Sequence, residues 1–340
     1  MSNQEAWKDI HPDSDLVLRH MEYMRKMVQI DSRSFNVNEF QGDRETPTDM
    51  KEILQLAEEY LRNVGFHHVR INKPSPDLDR ATPILLAEIA VNKAKPTILL
   101  YAHLDKQPYM DDEKFAKWDG VPPWVLRWNA DRSRAYGRGA ADDLSGVIAI
   151  GMAVDAFLNS LGVDQKNPAH LEKLPCNIKV IYETEEEAGS FSLIDQIRQN
   201  HDFFAPTNCV IITDVVNPAQ GVPGLTISLR GVVQLDATMT AKENENKIDA
   251  QTALYKLMAT LVHDDHSLAV TAIAKADLPL TGTERQGYFL VPTSIEALRE
   301  MAGLLSETRL TVPADKISLL EAQLRKSYAN VRPGHRVSGN

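Results

Sequence analysis

The chain has 340 residues, 43% of them hydrophobic and 25% charged, a composition that suits a soluble globular protein of two domains or one large one. Its 47 acidic and 37 basic side chains leave a formal net charge of −10, and no basic stripe runs along it, so nucleic-acid binding has little electrostatic support. The polar, acidic N-terminus lacks the basic and apolar regions of a signal peptide, and no apolar run is long enough to span a bilayer.

In chain order, residues 14–30 carry apolar positions at helical spacing with Ser14 as N-cap, and residues 46–66 form a second amphipathic helix with Thr48 as N-cap and Gly65 as its stop. Short, nearly continuous apolar runs follow at 84–91, 97–104, 177–182 and 208–215, which predicts strands covered on both faces. Helical patterns at 143–162 and 190–200 alternate with them, the signature of an α/β sheet. Cys176 and Cys209 lie in or beside these apolar stretches and read as small buried hydrophobes in a protein of the reducing cytoplasm. A Pro/Gly-rich joint at 217–224 then leads to an alternating stretch at 225–241, expected as a long strand, a helix at 249–265 and two further helical patterns. The expected domains are 1–219 and 220–340.

Polar residues collect where the apolar strands end. The run "ILLYAHLDKQP" ends on His103 and Asp105, and a carboxylate beside a metal-ligating histidine fixes its tautomer. "YGRGAADDLSG" puts Asp142 and Asp143 at a helix start, where N-capping alone would explain an acidic residue. Gly137 and Gly139 lack the third glycine of a dinucleotide loop, and no Gly-Lys-Ser/Thr follows, so nucleotide binding is rejected. "YETEEEAGS" crowds Glu183, Glu185, Glu186 and Glu187 just beyond one strand, and Asp214 ends another. Ligands of open α/β sheets bind outside the carboxyl ends of the strands. An imidazole and several carboxylates gathered there, with few Lys or Arg nearby, call for a divalent cation, and the donor set suits zinc, and also manganese or cobalt.

Four ordered motifs, "YAHLDKQP", "YGRGAADD", "EEEAGS" and "TD", resemble those of the M20 metallopeptidases, the group of carnosinase-like dipeptidases, glutamate carboxypeptidase and acetylornithine deacetylase. The resemblance implies a zinc-peptidase-like mixed sheet flanked by helices, with a smaller α+β lid and dimerisation domain. It implies that His103 and Asp214 bind one metal, Asp142 bridges two, and Glu187 binds the second, with one or two zinc ions per chain. Asp105 would orient His103. Glu186 would be the general base for a metal-bound water that attacks an amide bond in a short peptide or N-acyl amino acid. A homodimer through the smaller domain is the family habit.

Two departures from the family pattern stand out. The chain is shorter than family members, so the smaller domain is expected to be incomplete and to lack the usual C-terminal return to the catalytic domain. Family members take a last metal-ligating histidine from that region; after Asp214 this chain offers His263, His266 and His335, and His335 lacks the surrounding pattern. Arg230-Gly231 is retained, with Arg230 a candidate for reading a substrate carboxylate, but the lid-domain histidine expected after it is missing. The alternative reading is therefore a catalytically weak or inactive relative that acts as a binding protein.

Overall fold

Helix α1, Asp15–Gln29, begins where the sequence places it, with the Ser14 hydroxyl accepting from the Val17 N–H. The computed structural model describes residues 11–34, 46–75, 82–89, 92–107, 121–164, 167–215, 217, 223–226, 229, 231–233, 235–240, 249–265 and 267–327. Helix α2, Thr48–Val64, is capped one residue earlier than predicted: Pro47 is the N-cap and gives no side-chain bond, while Thr48 is already helical. Gly65 ends α2 with φ of 114° and returns its N–H to Leu61 and Arg62, a left-handed stop that glycine adopts without strain.

The chain divides into two compact units, Met1–Val215 and Val216–Asn340. The first holds strands β1 (His68–Asn72), β2 (Ile84–Ile89), β3 (Thr97–His103), β4 (Arg127–Trp128), β5 (Ala135–Tyr136), β6 (Asn177–Glu183) and β7 (Cys209–Ile212). Between them lie helices α3 (Leu144–Ser160), α4 (Pro168–Leu171), α5 (Leu193–Gln199) and α6 (His201–Phe204), with a 3-10 turn at Glu186–Ala188. Five strands form one mixed sheet in the order β1-β2-β6-β3-β7. β1 and β2 run antiparallel to their neighbours, whereas β6, β3 and β7 are parallel and end on the same rim.

Side-chain alternation divides the core between the two faces of this sheet. Leu85, Ala87 and Ile89 of β2 pack with Val28 of α1, Leu61 of α2 and Val147 of α3, while Ile84 and Leu86 face Ile181 and Phe203 on the other side. Each large apolar side chain buried this way contributes about 1.5–3 kcal/mol. The glycines set aside as a nucleotide loop serve packing instead. A Cβ on Gly137 would lie 2.8 Å from Val28 Cγ1, and Gly139, at φ of 73°, would meet Lys106 Cγ at 2.8 Å.

β7 departs from expectation. Val210, Ile211 and Ile212 are exposed, as is Cys209; β7 is the last strand of the sheet, and among the described residues it pairs with β3 alone. Cys176 is buried as expected.

The second unit holds helices α7 (Ala250–Ala259), α8 (Thr271–Ala274), α9 (Gly282–Leu290), α10 (Ile295–Met301) and α11 (Lys316–Leu324). The described residues of 225–241 form no strand. Leu225, Leu229, Val232, Val233 and Leu235 are 77–92% exposed, so the alternation there has no partner strand and no core to bury against. Arg230, His266 and His335 lie outside the described residues. Among the described residues, no helix is long and apolar enough to cross a membrane.

Candidate metal centre

The parallel ladder builds the site. β3 pairs with β6 so that His103 stands opposite Glu183, and β3 pairs with β7 through Tyr101 and Ile212. Two further bonds carry the pairing past the strand ends: the Leu104 N–H donates to the Glu183 carbonyl at 2.8 Å, and the Thr213 N–H to the Tyr101 carbonyl at 3.1 Å. His103, the Glu186–Ala188 turn and Asp214 therefore emerge on one rim.

His103 is fully buried, and its Nε2 faces three carboxylates: Asp142 Oδ1 at 3.3 Å, Asp214 Oδ2 at 3.7 Å and Glu186 Oε2 at 3.8 Å. Two donor groups, His103–Glu186–Asp214 and His103–Asp142–Glu187, each gather their ligating atoms within 4.8 Å of one another. The structure thus gathers on one rim the six residues to which the resemblance gives a metal or catalytic role, His103, Asp105, Asp142, Glu186, Glu187 and Asp214.

The Asp pair divides its work. Asp143 is buried and caps α3, its Oδ1 accepting from the Gly146 N–H at 3.1 Å and its Oδ2 from the His103 N–H at 3.2 Å. Asp142 is exposed and turns toward the His103 ring. Capping and site building were competing explanations of the pair; each residue takes one of them.

Asp105 has more partners than an orienting role requires. The nearest acceptor for His103 Nδ1 is the Asp105 backbone carbonyl at 3.0 Å, and the Asp105 carboxylate lies farther off, at 3.4 Å. That carboxylate accepts instead from the Glu186 N–H at 3.2 Å, the Glu187 N–H at 3.0 Å and the Ser34 hydroxyl. Gln107, whose amide donates to Glu187 Oε2, lies inside the motif "YAHLDKQP" but takes no role from the resemblance, and Ser34 carries no recognisable signal in the sequence.

The electrostatics are those of an unneutralised acidic cluster. Burial raises the Glu187 carboxyl to about 7, with Asp142 adding to the effect. Burial also raises Asp143 to about 7, against the pull of His103. Glu186 and Asp214 are raised by burial too, with His103 again opposing. Burial alone would lower His103, but Asp105, then Asp143 and Glu186, outweigh it and hold the imidazole at about 10. Among the described residues, Glu187 Oε1 is buried with no hydrogen-bond partner. A divalent cation relieves each of these features at once: it neutralises the carboxylates, takes the orphaned oxygen and displaces the imidazole proton. The residues present fit such an ion.

A helix-flanked mixed sheet with an imidazole and several carboxylates at the ends of its parallel strands defines a metal-site α/β protein. The profile of peptidase family M20/M25/M40 matches residues 99–297, more than half of the chain, and the chain belongs to that family. Divalent-metal binding goes with membership of this metallopeptidase family. The chain is 26% identical over 312 residues to the Cys-Gly metallodipeptidase DUG1 of Candida albicans, covering 87% of this chain and 60% of that protein. It is 28% identical over 259 residues to the Beta-Ala-His dipeptidase of Mus musculus, covering 72% of this chain and 49% of that protein. The chain thus spans roughly half the length of the curated relatives it matches. The solved structure of the dipeptidase Dug1p from Saccharomyces cerevisiae superposes with a TM-score of 0.69 at 21% identity, covering 99% of this chain and 68% of that one, and shows the shared fold.

Proposed function

We propose that the chain is a metal-dependent hydrolase of the amide bond in a short peptide, a dipeptide above all, with zinc as its metal. The observation that carries this reading is the buried His103 Nε2 facing Asp142, Asp214 and Glu186 within 3.8 Å, beside the orphaned oxygen of Glu187. The relatives named as Cys-Gly and Beta-Ala-His dipeptidases support the substrate class.

In this reading His103 and Asp214 would hold one ion and Glu187 a second, with Asp142 shared between them. A bound ion would supply Lewis acidity for the carbonyl and the attacking water. Glu186 is the general base: it takes a proton from the attacking water and delivers it to the leaving amine. Its position suits that task, since burial raises its carboxyl toward the working pH while His103 limits the rise. Asp105 fixes the turn from which Glu186 and Glu187 project. Residues 1–219 form the catalytic domain, and 220–340 a lid and dimerisation region in a homodimer of the cytoplasm.

Glu186 also lies in a donor group with His103 and Asp214, which favours a second assignment as a ligand. Zinc content and dipeptide hydrolysis of parent and Glu186→Gln separate the two. The base assignment expects one or two zinc ions per chain in both proteins and kcat lowered about 10²–10⁴-fold in the variant. Zinc lost together with activity makes Glu186 a ligand, and a parent without zinc overturns the proposal.

A further inference from the structure

We infer that Glu185 is a positioning residue for the metal centre, the anchor that holds the Glu186–Ala188 turn from the side away from the metal. The inference rests on the metal-hydrolase reading above and concerns a residue that the mechanism does not use.

Glu185 is 4% exposed, and both of its carboxylate oxygens are occupied. Oε1 accepts from the Ser192 N–H and the Ser192 hydroxyl, each at 2.5 Å. Oε2 accepts from the Thr82 N–H and the Thr82 hydroxyl, each at 3.3 Å. The Glu185 carbonyl accepts from the Ala188 N–H at 3.2 Å and the Ser190 N–H at 2.9 Å, which closes the turn. One residue therefore ties three segments together: the approach to β2, the acidic turn and the approach to α5.

The surroundings fix the anchor. Gln196 of α5 donates to the Thr82 carbonyl and to the Ser192 hydroxyl oxygen, both at 2.9 Å. The neighbouring Thr184 is fully buried and donates to the Pro83 carbonyl at 2.6 Å. A buried carboxylate is costly unless its lone pairs are filled, and here four donors fill them.

The turn carries both Glu186 and Glu187. Asp105 holds their N–H groups from the side of the metal site. Without the Glu185 carboxylate the turn loses its ties to Thr82 and Ser192 on the opposite side and can shift about the Asp105 contacts. Ligand and base geometry degrade within a few tenths of an ångström, so the loss appears in metal affinity and kcat.

Glu185→Gln is the informative variant because it preserves shape. Each oxygen receives one backbone N–H, which cannot turn away, so the amide NH2 faces a backbone donor in either orientation. The full chain, parent and variant, is titrated with Zn2+ against a competing chelator, and kcat and KM are measured on a dipeptide, with circular dichroism checking the fold. The expected result is a Zn2+ Kd raised and a kcat lowered by about 10–100-fold each, with KM held within about twofold because the turn carries the base and not the substrate. Should the variant fail to fold, Ser192→Ala removes one donor and keeps the backbone N–H; a shift of about three- to tenfold in the Zn2+ Kd is expected. Parent values of Kd and kcat in the folded variant overturn the assignment and leave the metal centre standing. A parent that binds no Zn2+ overturns both.

Discussion

Replacing Asp105 with asparagine separates two ways in which this carboxylate can serve the site. One route runs through His103: a lost carboxylate partner can strand the imidazole in the wrong tautomer, which in the serine-protease triad costs about 10⁴-fold in rate. The other runs through the turn. Here the His103 Nδ1 is 3.0 Å from the Asp105 backbone carbonyl and 3.4 Å from the carboxylate, so asparagine leaves the nearer partner in place and the tautomer intact. The turn is not spared. Asp105 Oδ1 accepts from the Glu186 N–H and Oδ2 from the Glu187 N–H, and an asparagine presents only one oxygen to the two donors. One buried N–H then faces an NH2 group at a cost of about 1–3 kcal/mol. If that cost is also lost from the transition state, kcat/KM falls about 5–150-fold. For a unit of this size the melting temperature falls by about 2–12 °C. Steady-state kinetics with a dipeptide and thermal unfolding in saturating zinc measure both. A 10⁴-fold loss at the parent melting temperature would falsify the turn route and restore the histidine route; parent rates would remove Asp105 from both.

Two further outcomes follow from the packing and the charge. A Cβ added in Gly151→Ala lies 2.0 Å from the Tyr60 hydroxyl, which is held by His20 Nδ1 at 2.7 Å and the Ile148 carbonyl at 3.2 Å. Tyr60 cannot swing away, so the variant loses about 1–3 kcal/mol of stability by overpacking between α2 and α3; an unshifted thermal transition contradicts this packing. Without metal, the melting temperature falls as pH rises from 5 to 8. Glu183 and Glu187, both raised from 4.5 to about 7, and Asp143, raised from 3.8 to about 7, hold protons in the folded chain that the unfolded chain has released, so their stabilisation is present below the unfolded pKa and lost through the folded one. His103, raised from 6.5 to about 10, acts in the same direction above pH 6.5. Zinc held by His103 and Glu187 would displace their protons, so the thermal shift on adding zinc is expected to grow with pH. A metal-free melting temperature that climbs across this window refutes the assignment.

The run "YETEEEAGS" shows how far the sequence can be read. Its place at a strand end, and with it the rim of the sheet, is legible because apolar runs mark parallel buried strands. The division of labour inside the run is not. Glu183 accepts from the Tyr101 hydroxyl at 2.6 Å, Glu185 anchors the turn, and Glu186 and Glu187 face His103 or its neighbours. Neighbouring glutamates look alike until the turn and the register of β6 on β3 decide where each points. The same reason hides Ser34, which reaches Asp105 from the end of another segment, and the role of Gln107 within its own motif. β1 escaped notice because "HVRIN" is a five-residue edge strand with only two apolar side chains, and 225–241 misled because alternation alone does not make a strand: its described residues form none.

The parallel pairing of β3 with β6 and β7 also sets when the site can exist. The Asn177 amide donates to the Thr97 hydroxyl oxygen across 80 residues of chain, and the Thr213 hydroxyl donates to the Tyr101 carbonyl across 112. Contacts that close such long loops form late, because the closure entropy is lost before any contact compensates it. Residues from four separate segments meet at His103 only after those ladders have zipped. An ion held by all four segments would therefore need these ladders in register, unlike the ion of a small zinc-dependent domain, whose ligands lie close together in the chain.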